Sequence, residues 1–240
     1  PLLSEDYTDS EGNAQVNGYN VLVTDETKPI ENAFIIISED NKISVKLPES
    51  VVFDYSNRIT ATVTNQDNAP VKDMAVIFTD SAEQTETNLT DENGKATVPP
   101  VNIDYTDVNG YAEVDGYAVT VQNETGFIEK AFVTHYAEVK NEDGTVQTAE
   151  SISVGLPENV KVDDYDNRVT VTVLNKADNI PVAAMPVTIT EAAADEPPKS
   201  ASGITDKNGK VTVPPLNEDI TGDNGDGDIT ETKPGGDTDG

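Results

Sequence analysis

Apolar and polar residues alternate over short stretches along almost the whole chain. RITATVT at 58–64, VTVTVLN at 169–175, YAVTVQ at 117–122, YNVLVTD at 19–25, KATVP at 95–99 and ISVKL at 43–47 place β-branched or apolar side chains at every second position. That period sets one face of an extended strand on a core and the other in water. Turn-forming runs separate the strands: ENG, VNG, KNG, DNAP, DNIP and LPE. Helical signal is confined to EAAAD at 191–195, too short to hold a helix. The pattern predicts an all-β chain folded as antiparallel β-sandwiches.

The strands recur as a long internal repeat. SEDYTDSEGNAQVNGY at 4–19 returns as NIDYTDVNGYAEVDGY at 102–117, and PIENAFI at 29–35 as FIEKAFV at 127–133. ISVKLPE at 43–49 returns as ISVGLPE at 152–158, DYSNRITATVTN at 54–65 as DYDNRVTVTVLN at 164–175, and TDENGKATVPPVN at 90–102 as TDKNGKVTVPPLN at 205–217. The spacing lengthens along the second copy, so that copy carries small insertions near KNEDGTVQ and ADEPPKS, of surface-loop composition. Two tandem repeats follow, residues 1–101 and 102–216, and then a Gly/Asp-rich acidic segment at 217–240 with too few apolar residues to order itself. A finer echo runs inside each copy, because VLVTDETKPIENAFI, ATVTNQDNAPVKDMAV, VTVQNETGFIEKAFV and VTVLNKADNIPVAAMPV share one pattern. Each copy is therefore expected to contain two similar hairpins, in one sandwich or in two smaller modules.

Composition narrows the function. Hydrophobic residues make up only 35% of the chain and aromatics 5%, so the cores must be thin. Lys and Arg number 15 against 45 Asp and Glu, a net charge of −30, which repels nucleic-acid phosphate and anionic lipid alike. Zero cysteines exclude a disulfide framework, a thiolate nucleophile and a zinc-thiolate site, and suit an exported bacterial chain that folds without an oxidase. No run is long and apolar enough to insert in a membrane as a helix. The opening PLLSEDYTDSEG lacks the basic and apolar segments of a secretion signal, so an exported chain is expected to have lost its signal or to be a piece of a longer protein.

The succession NRVTVTV, N-x-P-V-x-x-M-x-V and TDKNGKVTVP resembles the bacterial immunoglobulin-like domains of invasin- and intimin-type adhesins and of repetitive Gram-positive surface proteins. The T-D-x-N-G-K-x-T-V element is also similar to that of pilin-type B domains. The likeness is best over 57–100 and 167–215. It implies tandem immunoglobulin-like sandwiches in a stalk that projects an adhesive tip, some members of the family binding host molecules themselves. Sandwiches of this resemblance often carry a Lys-to-Asn isopeptide bond. That needs a core-facing Lys in both copies, whereas Lys46 aligns with Gly155, and Lys95 and Lys210 lie beside exposed turns.

Few residues are candidates for chemistry. His135, the one imidazole, falls in the strand pattern FVTHYAEV where the first copy has Ile37, and is expected to be a surface or half-buried strand residue rather than a catalytic base. Asp104, Asp107 and Asp115 cluster in sequence where the copies join, and Asp6 and Asp9 match the first two. Calcium takes six to eight oxygen ligands, so these acids are a candidate Ca²⁺ site; the alternative is solvated turn residues. The run GDNGDGD at 222–228 is similar to a calcium loop, but Gly222 at its first position and Lys233 at its last are not ligands. Met74 and Met185, Phe34 and Phe132, Tyr19 and Tyr117, and Tyr55 and Tyr165 recur in both copies and are expected to be core or corner residues. Phe53, Tyr111, Phe127 and Tyr136 have no counterpart. Tyr111 and Tyr136 are the candidate partner-binding residues, expected on one accessible face of the second copy.

Three functions fit. The first is a non-catalytic stalk or spacer, a monomeric repeat array outside the bacterial cell on its surface or wall. The second is a module that binds a host extracellular protein such as immunoglobulin, and the third an accessory module of a secreted glycan-degrading enzyme, against which the absence of tryptophan counts.

Overall fold

The computed structural model describes residues 2–141, 143–192 and 198–216, so the expectations for 217–240 and for most of EAAAD lie outside the described residues. Every regular element among them is a β-strand. In the first half, β1 (Leu2–Tyr7), β4 (Phe34–Ser38), β5 (Lys42–Lys46), β7 (Ala75–Thr79) and β8 (Thr85–Leu89) form a sheet in the order β1-β4-β5-β7-β8. Against it lies the sheet β2-β3-β6-β9, built from β2 (Asn13–Val16), β3 (Tyr19–Thr24), β6 (Ile59–Asn65) and β9 (Lys95–Val98). The second half repeats this plan. Its larger sheet runs β10 (Ile103–Tyr105), β14 (Phe132–Tyr136), β17 (Ser151–Gly155), β19 (Pro186–Thr190), β20 (Ser200–Ile204). Its smaller sheet runs β11 (Tyr111–Val114), β12 (Tyr117–Asn123), β18 (Val169–Asn175), β21 (Lys210–Val213), with the short β13 (Gly126–Phe127) beside β12. The insertion near KNEDGTVQ forms an exposed hairpin of β15 (Val139–Lys140) and β16 (Val146–Thr148).

Two separate cores result, each closed between a larger and a smaller sheet. The first is filled by inward positions such as Val21, Val23, Ile35, Ile37, Val63 and Phe78, the second by Val119, Val121, Val133, Val171, Val173 and Ile189. Burial alternates along each of these strands, as a two-residue period requires.

The all-β sandwich expectation holds, but the internal echo does not mark hairpins. In all four occurrences the first strand lies in the smaller sheet and the next long strand in the larger one, as β3 pairs with β2 and β6 while β4 pairs with β1 and β5. The connection is an arch across the end of the core. Its apolar residues, Ile30 and Ala33 or Ile128 and Ala131, are buried as a plug, which a surface hairpin loop would not do.

A second shared element holds each arch. Thr-Asp-x-x-Gly occurs at 8–12, 90–94, 106–110 and 205–209, joining the two sheets. The buried Thr106 hydroxyl donates to Ile128 O (2.7 Å) and accepts from Ala131 N (2.8 Å); Thr8 does the same with Ile30 and Ala33, and Thr205 with Val182 and Met185. The aspartate after it caps the turn, Asp107 accepting from the amides of Asn109 and Tyr111 at 2.8 and 3.0 Å. Each sandwich is thus two similar halves about a pseudo-dyad, with β5 or β17 on the axis. A strand on a dyad must run opposite to one flanking strand and along the other. That is why β5 pairs with β7, and β17 with β19, in parallel within otherwise antiparallel sheets.

Backbone amides hold the carboxyls of Asp9, Asp91, Asp107 and Asp206 below the usual aspartate range. A folded-state value below the unfolded one gives stability that is present above the ordinary aspartate pKa and lost as pH falls through the folded value. Asp107→Asn keeps an acceptor but no charge. Its thermal midpoint is therefore expected below wild type at neutral pH, the difference shrinking as pH falls below the ordinary aspartate pKa and the wild-type carboxyl is protonated, measured by calorimetry.

Candidate functional site

The chain passes from the first core to the second through residues 99–102, and polar and aromatic side chains of both sandwiches meet at this junction. Val98–Pro99 is cis, as is Val213–Pro214 at the matching place. The linker carbonyls are taken up at once: Val101 O accepts from Asp115 N and Asn102 O from His135 N, both at 2.8 Å. From the first sandwich, the D-Y-S-N-R turn before β6 delivers Tyr55 and Arg58. Arg58 is only 7% exposed. Its guanidinium donates to Ile103 O (2.7 Å) and lies 3.9 Å from Asp104 Oδ1. It also packs over the Tyr55 ring, which meets Tyr105 edge-on at 5.3 Å; Tyr105 in turn packs on Phe132 at 5.0 Å. An aromatic and charged end of one sandwich is thereby seated on the edge strand of the next.

Asp104 is fixed from its own side, accepting from the amides of Tyr105 and Glu113 at 2.8 Å each. Burial nevertheless pushes its carboxyl up, outweighing those bonds and Arg58. Glu113 shows the opposite balance: burial acts to raise it, but the Lys176 ammonium and the Tyr111 hydroxyl (2.5 Å) prevail and hold it low. Burial and the Glu113 bond push the Tyr111 phenol up. Between the sandwiches lies an open cleft of about 650 Å³, lined among others by Arg58, Lys95, Thr97, Glu113, Asp115 and Lys176, and beside it a smaller one of about 240 Å³ at Tyr55, Asp104 and Tyr111.

Directly behind the linker lies His135. It is 4% exposed, so the expectation of a surface or half-buried residue is corrected. Its Nδ1 is 2.8 Å from Asp115 Oδ2 and its Nε2 is 3.0 Å from Glu150 Oε1. Tyr117 donates to the same Glu150 oxygen at 2.8 Å and packs on the imidazole at 5.0 Å; burial and that bond push its phenol up to about 12. With both ring nitrogens held by carboxylates, neither is offered to a nucleophile.

The sequence-predicted residues disperse. Asp104 supports strand backbone beside Arg58, Asp107 caps a turn and Asp115 binds His135; among the described residues no three acidic or histidine side chains group as a metal site requires. The proposed calcium set is thus three separate structural aspartates. Tyr111 is on β11 of the smaller sheet and bonded to Glu113, while Tyr136 is on β14 of the larger sheet, so they do not share a binding face. No family model, curated protein or solved structure matches the chain. Recurrence in both copies does not distinguish a core residue from one at the junction. Met74 and Met185 are core residues, but Phe34 and Phe132 point outward, and Tyr55 belongs to the junction. The usable signal was the joint recurrence of Asp-Tyr at 6–7 and 104–105 with D-Y-x-N-R at 54–58 and 164–168.

Proposed function

We propose that this chain is a non-catalytic spacer segment of an exported bacterial surface protein, in which sandwiches are joined end to end by stiff joints. The observation that carries the proposal is the Arg58 contact with Ile103 and Asp104 across a linker whose carbonyls are already bonded. A joint with a buried guanidinium, stacked rings and no slack resists bending in a way that a solvated linker does not. The acidic, cysteine-free composition and the sequence resemblance to adhesin repeats support a surface location. Backbone relaxation by NMR tests the stiffness. In the wild type the two cores are expected to share one rotational correlation time, and in Arg58→Ala/Tyr105→Ala to show two shorter, unequal ones. Independent tumbling of the wild-type cores would overturn the spacer reading.

A further inference from the structure

The end of the second sandwich that receives Tyr55 and Arg58 has an equivalent on the first sandwich. Asp6 on edge strand β1 accepts from the amides of Tyr7 and Gln15 at 2.9 Å each, as Asp104 does from Tyr105 and Glu113. Tyr7 packs on Phe34 at 4.7 Å, as Tyr105 packs on Phe132 at 5.0 Å. Glu5 is paired with Ile36 as Ile103 is with Thr134, so its carbonyl holds the place of the one that accepts from Arg58. Tyr7 is 60% exposed, and among the described residues no ring but that of Phe34 stacks on it. On the second sandwich, in the turn before β18, Arg168 lies over Tyr165 at 5.7 Å, against 5.8 Å for Arg58 over Tyr55.

We propose that Asp6, Tyr7 and Phe34 form a docking face for a second copy of this chain, which enters with its Tyr165 and Arg168 in the geometry of the internal junction. The occupant is specified by the molecule itself, because the equivalents of these two surfaces already meet once within the chain. The contact joins unlike surfaces, so it is heterologous and copies add head to tail rather than pairing about a two-fold axis. Association is weak, since the internal junction benefits from the millimolar effective concentration of a short linker and a separate copy does not. A net charge of −30 on each copy opposes the encounter at low ionic strength and is screened by salt. The proposal rests on the internal junction being a true joint.

Sedimentation equilibrium of the full chain at about 0.5 M NaCl, up to about 1 mM protein, is the test. The weight-average mass is expected to rise with concentration. Tyr7→Ala/Phe34→Ala is expected to weaken association about tenfold or more, and Tyr165→Ala to do the same, with thermal midpoints showing that both variants remain folded. An equimolar mixture of the two retains one intact docking face and one intact Tyr-Arg end, so it is expected to form dimers and nothing longer. A wild type that stays monomeric, variants that associate like wild type, or a mixture that stays monomeric would each overturn head-to-tail docking. A shared correlation time for the two cores, measured on the same sample, would leave the spacer reading standing in that event.

Discussion

Gly110→Ala is expected to unfold the second sandwich at urea concentrations where the first remains folded. Gly110 closes one Thr-Asp-x-x-Gly turn at φ +67°, and a Cβ there would lie 2.2 Å from Val121 O. That oxygen belongs to the middle of β12, and Val121 is committed on both sides: its amide donates to Gly110 O (2.8 Å) and its carbonyl accepts from Ile128 N (3.0 Å). Neither backbone can give way without breaking the corner between β10 and β11 or the arch that plugs the core. Left-handed backbone alone costs an alanine about 1–2 kcal/mol. With the displaced strand added, about 4 kcal/mol is expected, a large share of what a domain of this size holds. Gly116→Ala is the control, since φ is +82° there but the new Cβ meets nothing within 4 Å. Amide resonances of each core, followed through urea, separate the two transitions. A cost for Gly110→Ala within about 1 kcal/mol of the control would mean the turn is not the rigid corner described.

Strands were legible in the sequence because burial in a two-sheet sandwich enforces a two-residue period, and that period is intact wherever one face meets the core, as in Ile59–Asn65 and Val169–Asn175. Which strands pair was not legible. An arch and a hairpin both read as strand, polar loop, strand; only the fate of Ile30 and Ala33, buried under Thr8, separates them, and that depends on a hydroxyl from another part of the chain. The site was hidden for a related reason. Asp104 and Asp115 were rightly placed at the junction, but proximity in sequence says nothing about direction: one carboxylate turns toward β11 and Arg58, the other toward the inside of the second sandwich. Phe132 and Tyr55 read as core or corner residues because they recur, yet a surface repeated in order to join similar units must recur as faithfully as a core.

His135→Ile is expected to lower the thermal midpoint of the second core by about 10 °C, although it installs the residue that the first core carries at the same place. Ile37 is fully buried, whereas His135 stands between Asp115 and Glu150, whose counterparts in the first copy are Asn17 and Asn41. An isoleucine there would leave two carboxylates over an apolar side chain with their partner gone. Breaking such a group when fully buried costs about 3–5 kcal/mol, but Asp115 and Glu150 are 30% and 41% exposed, so water takes up part of the loss and about 2 kcal/mol remains. Adding Asp115→Asn and Glu150→Asn reproduces the first core's arrangement in full. Tyr117 then faces an asparagine, as Tyr19 donates to Asn41 at 3.3 Å, and most of the lost stability is expected to return. The amides of Asp115 and His135 carry the bonds to Val101 O and Asn102 O, so hydrogen exchange at these two positions should rise first in the single variant and fall back in the triple. A single variant as stable as wild type, or a triple no better than the single, would show that the carboxylates do not depend on the imidazole. The histidine would then be filling space behind the linker rather than holding its charges in place.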